Sequence, residues 1–187
     1  PVHNPHELVS PSDSRFDAPV LSYPVFLDLQ KRSRDYFSGA AAYRMLPLSM
    51  SLGPGRNSRV WGQMVSGNYF DVLGVKAARG RTLTTDDDRT PGGHPFVVIS
   101  DTCWKSKFGG DPNILGRVVK LNGFPFTVVG VLVHGMYGTE RFYAPEFFST
   151  SAMVKQLEPG STYMTDRDSK NTFVVARMAP GVSLVRA

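Results

Sequence analysis

Three adjacent carboxylates, Asp86, Asp87 and Asp88, form the densest group of potential ligands in the chain. Ca²⁺ prefers carboxylate oxygens, but calcium loops place their ligands at alternate positions and include a glycine and a distal Glu. Acids directly after a threonine are also typical of a helical first turn, in which Thr85 would act as the cap. The pattern favours an acidic turn, with a calcium site as the alternative.

The other groups with metal or nucleophile chemistry are dispersed along the sequence. The four histidines lie at His3, His6, His94 and His134. None stands four residues from another, and no His or Cys spacing fits zinc. Cys103 is the only cysteine, so no internal disulfide can form. A lone thiol in an apolar segment is typical of a buried small side chain, whereas a nucleophile would need an activating histidine.

Two glutamates and one glycine pair complete the search for catalytic residues. Glu140 and Glu146 have the chemistry of a general acid and base, but such pairs in glycine-rich loops are common. Gly53 and Gly55 precede no helix, so they predict a hairpin turn rather than a phosphate loop. We therefore assign no catalytic, cofactor-binding or metal-ligating residue and expect no cofactor.

Four aromatic side chains allow either a ligand groove or a core. They are Trp61, Tyr69, Phe70 and Trp104. Their periodicity favours core-facing positions, with the groove as the alternative.

The charge balance leaves several partners open. The net charge of +5 would suit an anionic membrane surface or nucleic acid, but the basic residues are scattered. The densest group, Lys31, Arg32 and Arg34, follows a predicted helix, where cations offset the helix dipole. We favour that solvated role, keep contact with lipid headgroups as an alternative and expect no nucleic-acid partner.

Short elements joined by turns are predicted along most of the chain, because 18 glycines and 14 prolines disfavour a helical bundle. Asn122 and Gly123 predict a two-residue hairpin turn between strands 117–121 and 124–132. Further strands are predicted over 40–45, 48–52, 59–65, 95–100, 147–148 and 170–178. Helices are predicted after a cap at Ser22, from a cap at Asp101 through Phe108, over 151–157 and from Val182 onward.

Segment 65–75 is the most informative run of the sequence. Ser66 is a candidate helix cap, because its hydroxyl can accept a hydrogen bond from a free amide near Asn68. Tyr69, Phe70 and Leu73 then lie at helical spacing, and Gly74 predicts a left-handed end. The segment predicts a short helix with a buried apolar face.

The order of these blocks resembles the MacB-like periplasmic core domain of ABC transporter permeases, in the FtsX/MacB superfamily. The matching blocks are 22–24, 65–75, 80–81, 97–100, 104 with 108–112, 115–116, 121–123 and 126–131. The resemblance runs from about Leu21 to Val185. Details that include Gly138 and Thr139 look closest to the orphan duplicated permeases of acidobacteria.

The resemblance implies an α+β, two-lobed core domain. A porter-like βα lobe would comprise 21–64 and 162–187, clipped after Ala187, and an inserted mixed α/β lobe of hairpins and short helices would comprise 65–161. Residues 1–20, which hold four prolines, predict a flexible lead-in. The chain starts without Met and ends where a helix begins, so we expect a piece of a longer protein.

The resemblance also implies a place and a task. The domain would face the periplasm from the inner (cytoplasmic) membrane, tethered through flanking helices, and would transmit ATP-driven helix motion to an exported substrate or a periplasmic partner. The implied partners are a second permease copy or half, a cytoplasmic ATPase acting through the membrane helices, and a periplasmic adaptor. The alternatives are an extracytoplasmic ligand- or glycan-binding module and, less favoured, a hydrolase using a carboxylate or Cys103.

Overall fold

The computed structural model describes residues 2–11, 20–53, 55–139 and 144–182 of the chain. Within these residues, ten strands run in the order β1 Leu8–Val9, β2 Val20–Leu21, β3 Phe37–Ser51, β4 Asn57–Val65, β5 Ala77–Gly80, β6 Phe96–Ile99, β7 Val118–Leu121, β8 Phe124–Leu132, β9 Phe147–Thr150 and β10 Thr172–Met178. Four helices accompany them, α1 Tyr23–Arg32, α2 Tyr69–Leu73, α3 Asp101–Phe108 and α4 Val154–Leu157. The 3₁₀ turns are Pro5–Glu7, Thr85–Asp88 and Ser151–Met153. The predicted α+β class is confirmed.

The long hairpin β3–β4 crosses most of the molecule. It pairs from Tyr43 opposite Val65 to Ser51 opposite Asn57, and Gly53 accepts the turn bond from the Arg56 N–H at 3.1 Å. The prediction of two strands over 40–45 and 48–52 is wrong, because β3 continues through Pro47. Between the positions that pair with β10 and β7, no strand of the described residues pairs with the other edge of β3, and an edge tolerates proline.

Six strands form a closed circuit of hydrogen-bonded neighbours. The sheet order passes from β3 through β4, β9, β6 and β8, and β7 then pairs with both β8 and β3. The pairs β4–β9 and β6–β8 are parallel, whereas the other neighbours in the circuit are antiparallel. The circuit encloses part of the larger of two hydrophobic cores.

Strand alternation divides the buried residues between those two cores. On β3, Ala40 and Ala42 face the larger core, while Ala41 and Tyr43 face the smaller one. Helix α1 packs its buried Phe26 into the larger core, and α2 lies in the smaller core. The two helices therefore cover opposite faces of the same sheet.

The sheet also runs across the predicted lobe boundaries. Strand β4, which ends at Val65, pairs directly with β9, so segments 21–64 and 65–161 share one hydrogen-bonded sheet. At the chain start, where the sequence predicts a flexible lead-in, Pro5–Glu7 forms a 3₁₀ turn and β1 pairs with β10. The lobe division itself remains a prediction.

Local helix signals are partly confirmed. Ser22 caps α1 by accepting from the Val25 N–H at 3.4 Å, and Lys31 and Arg32 occupy its last turn. The prediction that Asp101 caps α3 is wrong, because Ser100 precedes the helix and its hydroxyl accepts from the Cys103 N–H at 3.1 Å. The helix predicted from Val182 onward extends beyond the described residues.

Candidate functional site

The side chains of the three aspartates after Thr85 contact three different sets of residues. Asp87 accepts two bonds from Arg81, at 2.6 and 2.9 Å, and others from Thr84. Thr84, rather than the predicted Thr85, therefore caps this turn. Asp86 is exposed and pairs with Arg89 at 3.2 Å. The acidic turn is confirmed, and the alternative of a shared calcium site is not supported by this geometry.

Asp88 joins two segments that are distant in the sequence. Its two carboxylate oxygens accept from the N–H of Gly67 at 2.9 Å and from the N–H of Ala152 at 2.8 Å. Burial raises the pKa of the Asp88 carboxyl to about 6, against the opposing effect of these two bonds. For Asp87, burial is outweighed by the bonds from Arg81 and Thr84, which hold its pKa below the usual value.

The four histidines are not brought together. His134 Nδ1 lies 2.8 Å from Asp101 Oδ2, whereas His94 stacks on an aromatic ring of β6. His3 and His6 are exposed near the chain start. Across the described ranges, no three His, Cys, Asp or Glu side chains are grouped so that they could hold a metal ion.

Cys103 is buried in the larger core. Burial raises the pKa of its thiol, and the nearby Glu146 carboxylate raises it further, so the nucleophilic thiolate is disfavoured. Glu146 Oε2 lies 3.9 Å from Lys107 Nζ. Glu140, the other predicted acid–base candidate, lies outside the described residues.

The candidate groove aromatics do not line one common surface. Tyr69 and Phe70 are fully buried in the smaller core. Trp104 is half-buried against the larger core, and its indole N–H donates to the Asp111 carbonyl at 2.8 Å. Trp61, also half-buried, lies on β4. The core interpretation is confirmed for Tyr69 and Phe70.

Segment 65–75 forms the predicted short helix, but with a different start. The prediction that Ser66 caps α2 is wrong: its hydroxyl accepts from the Ala42 N–H at 3.0 Å and donates to Asn68 at 2.8 Å. Asn68 in turn donates to the Ala40 carbonyl at 2.9 Å. These polar contacts fasten α2 to β3, and Gly74 ends the helix in the predicted left-handed conformation.

Arg177 on β10 connects the chain start to α2, and nothing in its local sequence predicted this role. Its guanidinium donates to the His3 carbonyl at 2.7 Å, to the Glu7 carboxylate at 2.9 Å and to the Val72 carbonyl at 2.8 Å. The hydrogen bond from Arg177 lowers the pKa of Glu7. We call these contacts the Arg177 clamp; they join the chain start, α2 and the last described strand.

Both described ends of the chain lie at one end of the sheet, here called the tether end. There Leu8 pairs with Arg177, Phe37 pairs with Met178, and the Ala179 N–H donates to the Tyr36 carbonyl at 2.8 Å. The turn of the β3–β4 hairpin lies at the opposite end of β3, here called the tip. Fifteen residues of extended β3 separate the two by about 45 Å.

The tip is held by a polar contact from a neighbouring hairpin. Asn122 and Gly123 both have positive φ, as the predicted two-residue turn requires, and Leu121 pairs with Phe124. The Asn122 side chain accepts from the Ser49 N–H and donates to the Leu157 carbonyl, both at 2.7 Å. The tip is therefore tied both to the β7–β8 hairpin and to α4.

A profile of the MacB-like periplasmic core domain family matches residues 5–187. Over 65 residues the chain is 42% identical to the macrolide export ATP-binding/permease protein MacB of Aggregatibacter actinomycetemcomitans, covering 34% of this chain and 10% of that protein. Over 91 residues it is 30% identical to an uncharacterised ABC transporter permease, YvrN, of Bacillus subtilis (strain 168), covering 44% and 22% respectively. The aligned stretches thus span less than a quarter of these relatives.

Two solved structures share the fold. The periplasmic region of MacB from Actinobacillus actinomycetemcomitans superposes with a TM-score of 0.70 at 20% identity, covering 98% of this chain and 81% of that one. The extracellular domain of the noncanonic ABC-type transporter YknZ from Gram-positive bacteria gives 0.63 at 18% identity, covering 93% and 83%. None of the helices in the described residues combines the length and apolar composition needed to cross a bilayer.

Proposed function

The chain belongs to the MacB-like periplasmic core domain family, and from this we propose that it is the extracytoplasmic part of an ABC transporter permease. In this proposal the domain is tethered to the outer side of the cytoplasmic membrane through helices that flank it. It relays their ATP-driven motion to an exported substrate or a periplasmic partner. A second permease copy or half, a cytoplasmic ATPase acting through the membrane helices and a periplasmic adaptor complete the proposed assembly.

The arrangement of the tether end is the observation that carries this proposal. A domain that relays motion must receive it where the chain enters and leaves. The Arg177 clamp joins the chain start to the last described strand there, and the Arg177 side chain is only 15% exposed. A displacement of either chain end would therefore be passed directly into β10 and β3.

A relay must also be stiff along its length, and the sheet supplies a reason to expect this. Strand β3 extends unbroken from the tether end to the tip, and the closed circuit pairs β4, β6, β8 and β9 on both edges. Sliding one of these strands would break hydrogen bonds on two sides. We therefore propose that the predicted lobes, 21–64 with 162–187 and 65–161, move as one body.

We propose no enzymatic role for the domain. Its one cysteine is buried with a raised thiol pKa, and its histidines point to separate places. These features disfavour nucleophilic or metal-assisted hydrolysis.

A flexible insertion tests the relay. About six Gly and Ser residues placed between Gly181 and Val182 of the intact permease would let the chain end move without moving β10. We expect transport to fall at least about tenfold while ATP hydrolysis persists. The same insertion at Gly55, in the hairpin turn, is the matched control for loop lengthening. Combining the insertion with Arg177→Ala also releases the contacts of the chain start with β10. Unchanged transport in this combined variant would refute the relay.

A further inference from the structure

Three cations gather where α1 gives way to β3. Lys31, Arg32 and Arg34 are all exposed, and in the described parts of the chain none of them forms an ion pair with a carboxylate. Asp35 is the acid next to Arg34. One helical turn before Lys31, the pKa of the Asp28 carboxyl is lowered mainly by its hydrogen bond from Arg167 and further by the charges of Arg32 and Lys31. We call the three cations the basic end.

A polar cleft lies beside the basic end. It has a volume of about 400 Å³, and Lys31 and Arg34 contribute to its lining together with Ser33, Ser38 and Asn68. The Ser33 hydroxyl donates to the Leu29 carbonyl and the Asn68 amide to the Ala40 carbonyl. Lys31 and Arg34 therefore supply both the positive charge and the available N–H donors of the cleft. This is the chemistry that recognises a phosphodiester.

The position of the basic end suggests which phosphodiester it meets. Tyr36 lies two residues after Arg34, and its carbonyl accepts from the Ala179 N–H, so the basic end lies at the tether end. The Tyr36 side chain is 45% exposed. Basic and tyrosine side chains are enriched together where proteins meet the headgroup region of a bilayer.

We propose that the basic end binds the anionic phospholipid headgroups of the membrane to which the domain is tethered. This inference rests on the proposed function, because only tethering at the chain ends turns this surface toward the bilayer. The contact orients the domain and sets its resting distance from the lipid surface.

Offsetting the helix dipole does not account for all three cations. Lys31 and Arg32 occupy the last turn of α1, but Arg34 lies beyond the end of the helix at Arg32. A dipole effect fades within the last turn. The helix dipole therefore does not account for the position of Arg34 beside the cleft.

Vesicle co-sedimentation of the 187-residue chain tests the proposal. Vesicles of phosphatidylcholine with roughly 30% phosphatidylglycerol should bind the chain, whereas pure phosphatidylcholine should not. Each cation near an anionic surface contributes about a fivefold change in partitioning. Replacing the basic end by Lys31→Gln, Arg32→Gln and Arg34→Gln should therefore weaken binding at least about tenfold.

The tip offers a control with the same charge change. Arg56, Arg59 and Lys120 are also exposed, and they surround the far end of β3. Replacing these three by Gln should change partitioning less than about threefold. Equal losses in the two triple variants would mean unspecific attraction by net charge and would overturn the proposal, as would absence of binding.

Two further measurements separate the remaining outcomes. Cys103 is buried and therefore protected from labelling, so a fluorophore can be placed selectively on Ser38→Cys or on Asn57→Cys. The fluorophore at position 38 should transfer energy to headgroup-labelled lipid more efficiently, because position 38 lies at the tether end and position 57 at the tip. Inorganic phosphate should displace the chain no more than an equal ionic strength of chloride; stronger displacement would indicate a free-phosphate site and refute the lipid assignment. These readouts do not involve transport, so they can fail while the Gly181 insertion result stands, and the reverse.

Discussion

Replacing Asp88 by asparagine should change the pH dependence of stability. The carboxylate bridges Gly67 and Ala152, and burial raises its pKa from 3.8 to about 6. Asparagine is neutral at every pH. The difference in unfolding free energy between the wild type and Asp88→Asn therefore isolates the charge on this residue.

The sign and size follow from proton linkage. Because the pKa is higher in the folded state, the folded protein holds the Asp88 proton more tightly than the unfolded chain does. The associated stabilisation is fully present below about pH 4 and is lost as the pH rises through about 6. A shift of about two units, at 1.36 kcal/mol each, corresponds to about 3 kcal/mol.

Carboxylates whose pKa is lowered on folding change the stability in the opposite direction and at lower pH than Asp88 does. Bonds from Arg167 and from Lys105 lower the pKa values of Asp28 and Asp101 respectively. Such groups lose their stabilising contribution only as the pH falls through those lowered values. They are also present in both proteins, so they cancel in the difference.

Urea unfolding from about pH 4 to about pH 7.5 provides the measurement. The wild-type advantage over Asp88→Asn should shrink by about 2.5 kcal/mol across this range, since part of the full difference is already lost at pH 4. Asp86→Asn, which removes an exposed carboxylate, controls for loss of surface charge. A difference that stays constant within about 0.5 kcal/mol would refute the reasoning, because Asp88 would then not be titrating between the two pH values.

Three further substitutions test individual contacts. Gly67→Ala would place a Cβ 2.5 Å from the Thr84 carbonyl oxygen, so we expect a loss of about 2–3 kcal/mol in chemical denaturation; wild-type stability would contradict the close approach. Ser100→Ala should cost about 1 kcal/mol and Asp101→Ala less, which identifies the true cap of α3 by comparison of the two unfolding midpoints. Arg177→Lys cannot reproduce the forked contacts of the clamp, so hydrogen exchange of the β1 amides should accelerate, and unchanged protection would argue against the clamp.

The sequence predicts correctly those turns and helix caps that depend only on residues a few positions apart. Asn122 and Gly123 accept positive φ whatever surrounds them, and they set the pairing of Leu121 with Phe124. Ser22 caps α1 through an amide three residues away. Signals of this range need no knowledge of the tertiary structure.

The wrong predictions depend on partners that are distant in the sequence. Ser66 satisfies the Ala42 amide of another strand instead of its own helix. Pro47 is tolerated because, in the described part of the chain, no strand pairs with that edge of β3. The residues around Arg177 predict only an ordinary basic residue on a strand, because Glu7 comes beside it only in the folded structure. The functional candidates share this origin, since the tether end exists only after residues from both ends of the chain meet.

Strand β10 is made last among the described strands, yet β1, β2 and β3 all pair with it. While the chain emerges from the ribosome, β1, β2 and one edge of β3 lack their β10 partner. Long-range pairing of this kind is slow and prone to aggregation. We therefore expect nascent chains that end before Thr172 to need a chaperone. We expect the protein to become protease-resistant only after β10 has been synthesised and has paired.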